Sequence, residues 1–241
     1  MKLLLHACCG PCSLEPTRFL ANEGHDITIA YMNSNIHPAS EYDRRLSTLR
    51  AWADRENLPI VEGPYDVRAW EGCVGTVASD TYASREDRCR ACYRMRLEEA
   101  ARYASEHGFD GVSTTLTVSP YQYTDIIREE LKRAAGAHGI ASLFEDFRPL
   151  YDEATRRSRE LGMYRQNYCG CRISQAEAEA ERRERKAARA AKREAERAAH
   201  EDEIAAAEAL RAQKKRERQD YAAKQERKRR ILKEMRGKQS N

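Results

Sequence analysis

The chain has 241 residues, of which 41% are hydrophobic and 34% charged, with a formal net charge of +4. That length holds one or two domains, and the charged fraction stands well above the roughly 25% of an ordinary globular domain. No stretch approaches the ~18 consecutive apolar residues needed to cross a bilayer, which excludes a helical membrane span and points to the cytoplasm. The charge is uneven: from Arg172 onward 22 Lys and Arg stand against 14 Asp and Glu, for +8, leaving −4 on residues 1–171.

Lys2 to Ala7 is a short apolar run, too short for the core of a signal peptide, and reads as a buried strand. It leads directly into Cys8-Cys9-Gly10-Pro11-Cys12. Ser13 is placed to cap a helix to about Glu23, with Pro16 in its first turn. Ile27 to Met32 has strand propensity, and Asn33 to Pro38 reads as a turn. A helix follows from about Ser40 to Glu56, with Tyr42, Leu46, Leu49 and Trp52 or Ala53 on one face, and then a strand at Leu58 to Val61. Residues 63–88 hold three glycines and read as a substrate-facing loop. A helix opened by Cys89-x-x-Cys92 runs from about Arg90 to a glycine cap at Gly108. Val112 to Val118 predicts a strand, Tyr123 to Ala135 a helix, Ile140 to Phe144 a last strand, and Glu153 to Leu161 a helix.

Strands alternating with helices imply a parallel sheet covered on both faces. Such sheets bind ligands beyond the carboxyl ends of their strands, where Cys8 falls. The composition then changes. From Ser174 to about Met235 it is mostly Ala, Glu, Lys, Arg and Gln, with no Pro and no Gly before Gly237. These residues favour one long solvated helix. Ile204, Leu210, Ile231 and Leu232 form no heptad, so a coiled coil is not expected. The predicted organisation is a cysteine-rich body over 1–173 and a basic helical extension over 174–241.

Eight cysteines in a reducing compartment point to metal binding or redox chemistry. Cys8, Cys9 and Cys12 follow the first strand, Cys89 and Cys92 open a helix, and Cys169 and Cys171 close the body. Cys73 stands alone and is given no role. Thiolates at a helix start are favoured by free amides and the dipole. Gly170 lets the backbone bend so that Cys169 and Cys171 face one side. Thiolates in this number select zinc, iron or an iron–sulfur cluster. Seven ligands exceed one four-coordinate site and suggest a four-cysteine cluster beside a second metal with an open position. Two other readings stay open on these residues. Cys9-Gly10-Pro11-Cys12 equals the thioredoxin tetrapeptide, which would make a thiol–disulfide oxidoreductase of Cys9 and Cys12. The paired cysteines also suit a structural zinc site in an RNA-binding module without catalysis.

The same residues carry a resemblance. The segments Leu4-Leu5-His6-Ala7-Cys8-Cys9-Gly10-Pro11-Cys12-Ser13, Asn33-Ser34-Asn35-Ile36-His37-Pro38 and Arg88-Cys89-Arg90-Ala91-Cys92-Tyr93-Arg94-Met95-Arg96-Leu97 are similar to motifs of the cobalamin-independent epoxyqueuosine reductases, the QueH family. Thr114 to Pro120, Asp146-Phe147 and Tyr164-Arg165-Gln166-Asn167-Tyr168-Cys169-Gly170-Cys171 continue the pattern in family order, over about residues 2–174. Relatives often have alanine where this chain has Gly10, and a lysine usually follows the Val-Ser-Pro step where this chain has Tyr121-Gln122-Tyr123. Cys73 and the basic tail lie outside the pattern.

The resemblance implies an α/β fold with a HUP-like (nucleotide alpha-hydrolase-like) parallel sheet. It also implies reductive removal of the epoxide oxygen of epoxyqueuosine in a tRNA anticodon loop. A 4Fe-4S cluster with an additional iron, or zinc as purified, would lie among Cys8, Cys9, Cys89, Cys92, Cys169 and Cys171, with Cys12 in the wider ligand set. A redox-active cysteine pair and an external electron donor are implied too. Cys8, Cys9 and Asp146 are the expected catalytic groups, with His6 and His37 as alternative acids. His37, Arg94, Tyr164, Arg165, Gln166 and Asn167 are expected to meet substrate, because anticodon loops are read by contacts to splayed bases. For Tyr164 and Arg165, bracing of the metal loop is the competing role. The tail is the clearest nucleic-acid feature by charge: 13 basic residues against 4 acidic from Arg211 to Lys238. A basic helix can follow phosphates in a salt-dependent way, although a solvated helix without a partner has the same composition.

Overall fold

A computed structural model of the chain describes residues 1–80 and 82–238, apart from the side chains of Asp202 and of residues 231–238. Five parallel strands form one sheet in the order β3-β2-β1-β4-β5. They are β1 (Lys2–His6), β2 (Asp26–Tyr31), β3 (Ile60–Glu62), β4 (Gly111–Thr114) and β5 (Ala141–Ser142). The central strand is buried from Leu3 to His6, as a strand covered on both faces must be. Its side chains alternate. Leu3 and Leu5 join a core with Leu14, Leu20, Tyr42, Leu46, Leu49 and Trp52, whereas Leu4 joins one with Tyr93, Leu97, Ile127 and Leu131.

One face is thus covered by α1 (Gly10–Asn22) and α2 (Ala39–Arg55). Two short helices, α3 (Val67–Trp70) and α4 (Thr76–Ser79), follow. The other face carries α5 (Arg85–Glu106) and α6 (Thr124–Ala137). Next, α7 (Tyr151–Glu160) adds to the first core through Ala154. The last helix, α8 (Arg172–Lys238), runs to the end of the described backbone. The chain divides into two compact units, Met1–Ala178 and Glu179–Asn241. The first holds the sheet. The second is helix whose described residues are exposed almost throughout. Ile204 and Leu210 are about half exposed there, at 48% and 52%, as expected of a helix without a heptad seam. The side chains of Ile231 and Leu232 lie outside the described ones.

Several boundaries differ from the sequence expectation, each for a local reason. The first helix starts at Gly10 with Cys9 as its N-cap; Ser13, the expected cap, instead donates to the Cys9 carbonyl at 2.8 Å. Residues 63–88 are largely helical, not loop. Asp66 caps α3 by accepting from the Ala69 amide at 2.9 Å, and a π-turn at Glu71–Gly75 joins α3 to α4. Trp70 and Val74, four apart, bury against Cys92 and Cys171. A capping box between Ser84 and Asp87 starts α5 at Arg85, so Cys89 and Cys92 lie inside the helix and away from its free amides. Thr114 ends β4 because its hydroxyl accepts from the Leu116 amide at 3.2 Å, and Thr115–Val118 closes into a 3₁₀ turn.

Helices α5 and α6 are clamped by Glu130, whose side chain is 2% exposed. It accepts from Arg94 (2.8 and 2.9 Å), Arg90 (3.3 Å) and Arg133 (3.0 Å). Burial pushes this carboxyl up, but the guanidinium bonds outweigh it and hold the pKa at about 2. A folded value below the unfolded one stabilises above pH ~4.5 and is lost as pH falls towards 2. Glu130→Gln is expected to cost about 1–3 kcal/mol at pH 7 and to weaken the acid-side loss of stability between those values. Denaturant titrations at pH 7 and pH 3 measure both.

Candidate metal centre

Strand β1 ends at His6, and the chain turns through Cys8 and Cys9 into α1, whose first turn carries Cys12. The three sulfurs all lie within 4.8 Å of one another, with Cys8 Sγ 3.8 Å from Cys9 Sγ. The free amides of α1 lie beside them. Thr115, just beyond β4, accepts from the Cys8 amide at 3.3 Å and donates to its sulfur at 3.6 Å. Hydrogen bonds from Cys12 and Cys9 hold Cys8 well below the usual thiol range, against burial and with help from Arg96. Cys12 also pulls Cys9 down, but Cys8 and burial outweigh it and push Cys9 up to about 12. Cys8, Cys9 and burial push Cys12 well up. Of the three, Cys8 therefore ionises first.

The other two sulfur groups lie in electrostatic reach of one another, and Cys169 links them to Cys8 of the triad. Cys169 is raised by burial and by the charges of Cys171 and Cys8. Burial, then Cys169, pushes Cys89 to about 11. Burial pushes Cys92 to about 12, with Cys169 and Cys171 adding to it. The expected help of a helix N-terminus to Cys89 and Cys92 is absent, because α5 begins a turn earlier. Cys92 and Cys171 pack with Trp70 and Val74. The buried Trp70 indole faces the Cys92 sulfur without closing a full hydrogen bond. Cys171 Sγ lies 3.3 Å from both the amide and the hydroxyl of Ser174. Gly170 separates the last pair with φ at +139°, and a Cβ there would stand 3.1 Å from Arg45 Nη1, Asn35 Nδ2 and Ile36 Cγ1. Only glycine fits that bend. Cys73 is exposed.

Two buried cations brace the site: Arg96, which flanks the second cysteine pair in sequence and so could be expected to meet phosphates or balance thiolate charge, and Arg45, to which sequence reading assigns no role. Arg45, 1% exposed, donates to Glu41 (2.7 Å), to the Cys169 carbonyl (2.8 Å) and to the Tyr168 carbonyl (3.2 Å). Arg96, 2% exposed, donates to Asn33 Oδ1. Asn33 in turn donates to the Ala7 carbonyl at 2.9 Å, beside Cys8. The charge of Arg96 pulls down Cys8, Cys92 and Cys169 alike. The available signal was positional: both arginines sit on the apolar faces of their helices, Arg45 between Tyr42 and Leu46 and Arg96 beside Leu97.

The expected substrate residues divide. Gln166 donates to Cys9 Sγ at 2.9 Å, and its Oε1 is buried without a partner. Tyr164 donates to Glu41 at 2.7 Å, and Arg165 reaches Thr155 at 3.3 and 3.5 Å, so both brace the loop. Asn167 is exposed. His37 accepts from the Tyr168 hydroxyl through its carbonyl and from burial has a lowered pKa. Arg94 is turned to Glu130 in the α5–α6 clamp. Asp146 is bound by Arg148 at 2.5 to 3.1 Å, which holds it below the usual carboxylate range. It is an ion-paired carboxylate at neutral pH. His6 is buried, with Nδ1 2.9 Å from Thr114 Oγ1. Burial and Arg96 hold it at about 3, so it is neutral.

The donor set fits metal. Two thiolates at about 2.3 Å from one tetrahedral ion stand about 3.8 Å apart, which is the Cys8–Cys9 separation. Among the described residues no other trio of possible ligands is this tight. No three of Cys89, Cys92, Cys169 and Cys171 come as close together as the triad does. Unpartnered buried atoms cluster around these sulfurs: Asn35 Nδ2 and Oδ1, His6 Nε2, Arg96 Nε and Gln166 Oε1. Orphans of that kind are rare without an absent partner group.

A doubly wound parallel sheet with thiols gathered at its carboxyl mouth defines a thiolate-metal or redox protein of the α/β class. Residues 3–177 match the family model described as epoxyqueuosine reductase QueH. The chain belongs to that family. A relative of that name from Dehalococcoides mccartyi is 30% identical over 177 residues, covering 73% of this chain and 93% of its own. One from Thermotoga maritima is 35% identical over 177 residues, covering 71% and 89%. One from Staphylococcus aureus is 33% identical over 181 residues, covering 70% and 74%.

Proposed function

We propose that this chain reduces epoxyqueuosine in tRNA to queuosine at the cysteine-lined mouth of its sheet, within residues 1–173. The carrying observation is that the Cys8, Cys9 and Cys12 sulfurs gather within 4.8 Å of one another there, with Cys169 in electrostatic reach of Cys8, Cys89 and Cys92, in a chain of the epoxyqueuosine reductase QueH family. The reaction breaks two C–O bonds, leaves an alkene and releases water, and so consumes two electrons and two protons. An external one-electron carrier supplies the electrons. A cytoplasmic setting keeps the thiols reduced.

Cys8, Cys9, Cys12, Cys89, Cys92, Cys169 and Cys171 would hold a 4Fe-4S cluster and an additional iron, which when bound supply electrons singly and an open Lewis-acid position. The protein's own groups do the rest. Arg45 and Arg96 offset thiolate charge in a site with little water. Thr115 and Gln166 donate to Cys8 and Cys9, lowering the charge each sulfur must carry. Tyr164 and Arg165 fix the loop that presents Cys169. Exposed Asn167 and the half-buried face of His37 are left to meet the splayed base. Asp146, being ion-paired, is no proton source in this reading.

The test is anaerobic. Protein reconstituted with iron and sulfide is incubated with epoxyqueuosine-containing tRNA and a low-potential reductant. Digestion and mass spectrometry are expected to show loss of one oxygen from the nucleoside. A colourless protein holding only zinc, with no turnover, would support the non-catalytic RNA module instead. Disulfide reductase activity that needs only Cys9 and Cys12 would support the oxidoreductase.

A further inference from the structure

The family match ends at residue 177, and most of α8 lies beyond it. Charge divides this remainder in two. From 179 to 210, 8 basic residues stand against 9 acidic; from 211 to 230, 10 stand against 3. The pairing also divides. In the first stretch Arg183, Arg185 and Lys192 face glutamates four residues away, at 3.6 to 3.9 Å. In the second, among the described residues, none of the ten cations has a carboxylate within ion-pair distance, and all are exposed.

The unpaired cations are ordered. Arg211, Lys214, Lys215 and Arg218 follow i, i+3, i+4, i+7 spacing and share one face. Arg229 returns to that face about five turns later. Tyr221, 66% exposed, lies three residues from Arg218 and seven from Lys214, at the edge of the stripe. An exposed ring beside cations is a stacking platform for a base. A membrane surface fits poorly. A membrane-bound helix needs large apolar residues opposite its cations, whereas residues 211–230 offer only three alanines and Tyr221. A partner helix would need a heptad, and none exists.

We propose that residues 211–230 of α8 are an RNA-phosphate-binding segment, about 30 Å of helix, and that 179–210 contributes no binding charge. The partner is the tRNA of the proposed reaction, so the inference rests on that reading for the identity of the RNA.

The experiment uses the full chain. One variant carries Arg211→Gln, Lys214→Gln, Lys215→Gln and Arg218→Gln, and a control carries Arg182→Gln, Arg183→Gln, Arg185→Gln and Lys186→Gln. Glutamine keeps helix propensity in both. Binding of fluorescent tRNA is measured between about 50 and 200 mM salt. The first variant is expected to lose about 3 to 4 from the log–log salt slope and to bind at least about 10-fold more weakly at the low end. The control is expected to match the parent. Loss shared equally by both variants, or an unchanged slope in the first, overturns the proposal. So does tighter capture of the parent chain by phosphatidylserine vesicles than by tRNA, with the first variant losing it. Turnover on a short anticodon stem-loop separates the two claims. If that turnover is absent while the tRNA slopes differ as expected, the reductase reading fails and the RNA segment stands.

Discussion

Cys89→Ser is expected to abolish epoxide reduction by more than about 100-fold and to strip iron from the protein while leaving it folded. The magnitude follows from ligand loss, since even the partners behind a metal ligand are worth about 10- to 100-fold in affinity or activity. Serine is a hard, protonated hydroxyl at neutral pH and a poor substitute for a thiolate. The site makes this variant cleaner than the others. Cys89 lies inside α5, which is started independently by the Ser84–Asp87 capping box and held by Glu130. The residue is only partly buried, so replacing it removes little packing. Cys73→Ser, on an exposed residue outside the cluster, is the control and is expected to keep both iron and activity. Iron and sulfide per chain, visible absorption and the nucleoside assay are read on the same anaerobic sample. Wild-type turnover by Cys89→Ser would remove α5 from the chemistry and return the site to Cys8, Cys9 and Cys12 alone. A thiol–disulfide mechanism at Cys9 and Cys12 predicts that outcome.

The sheet was largely legible because its signals are local. Leu3-Leu4-Leu5 can be satisfied only by a strand buried on both faces. The strand–helix alternation then leaves few topologies. What was misread depends on competition between local signals. The glycines of 63–88 suggested a loop, yet Asp66 capping and the four-residue spacing of Trp70 and Val74 favour helix, and burial against Cys92 decides it. Val112 to Val118 has strand propensity throughout, but the Thr114 hydroxyl captures the Leu116 amide and the backbone turns. The start of α5 was missed because its box closes with aspartate, a shorter partner than the usual glutamate.

The candidate ligands stood out for a different reason: cysteine in pairs carries chemistry that few other residues share. Their supports were legible only in part: Arg96 stood beside a cysteine pair, but its buried partner did not show, and Arg45 did not show at all. Arg45 meets Cys169 and Arg96 meets Asn33 across more than sixty residues of sequence, and no periodicity encodes such a contact. Asp146 shows the converse. Its place in a motif suggested an acid, while Arg148, two residues on, closes on it and keeps it ionised. Arg94 was read beside the second cysteine pair, but on the helix it faces α6 and its partner is Glu130.

Replacing Arg45 is expected to be the costliest change outside the ligands. Arg45→Met keeps most of the side-chain volume but takes the donor away from the Glu41 carboxylate, the Cys169 carbonyl and the Tyr168 carbonyl together. Removing one partner of a buried pair costs about 3–5 kcal/mol, which at roughly 2–4 °C per kcal/mol lowers Tm by about 6–20 °C. Trp52 and Trp70, both in the body, report this unfolding by fluorescence, whereas helical circular dichroism would be dominated by α8. Arg45→Lys is expected to recover part of the loss, because one ammonium keeps the Glu41 charge company but lacks the planar fork that reaches both carbonyls. Adding Glu41→Gln to Arg45→Met is expected to recover another part by removing the orphaned charge. The loop that these bonds hold carries Cys169 and Cys171, so iron content should fall in the same order as stability: parent, Arg45→Lys, Arg45→Met. A single Arg45→Met protein with parental Tm and full iron would mean that Gly170 and the packing of Cys171 against Trp70 set the loop unaided.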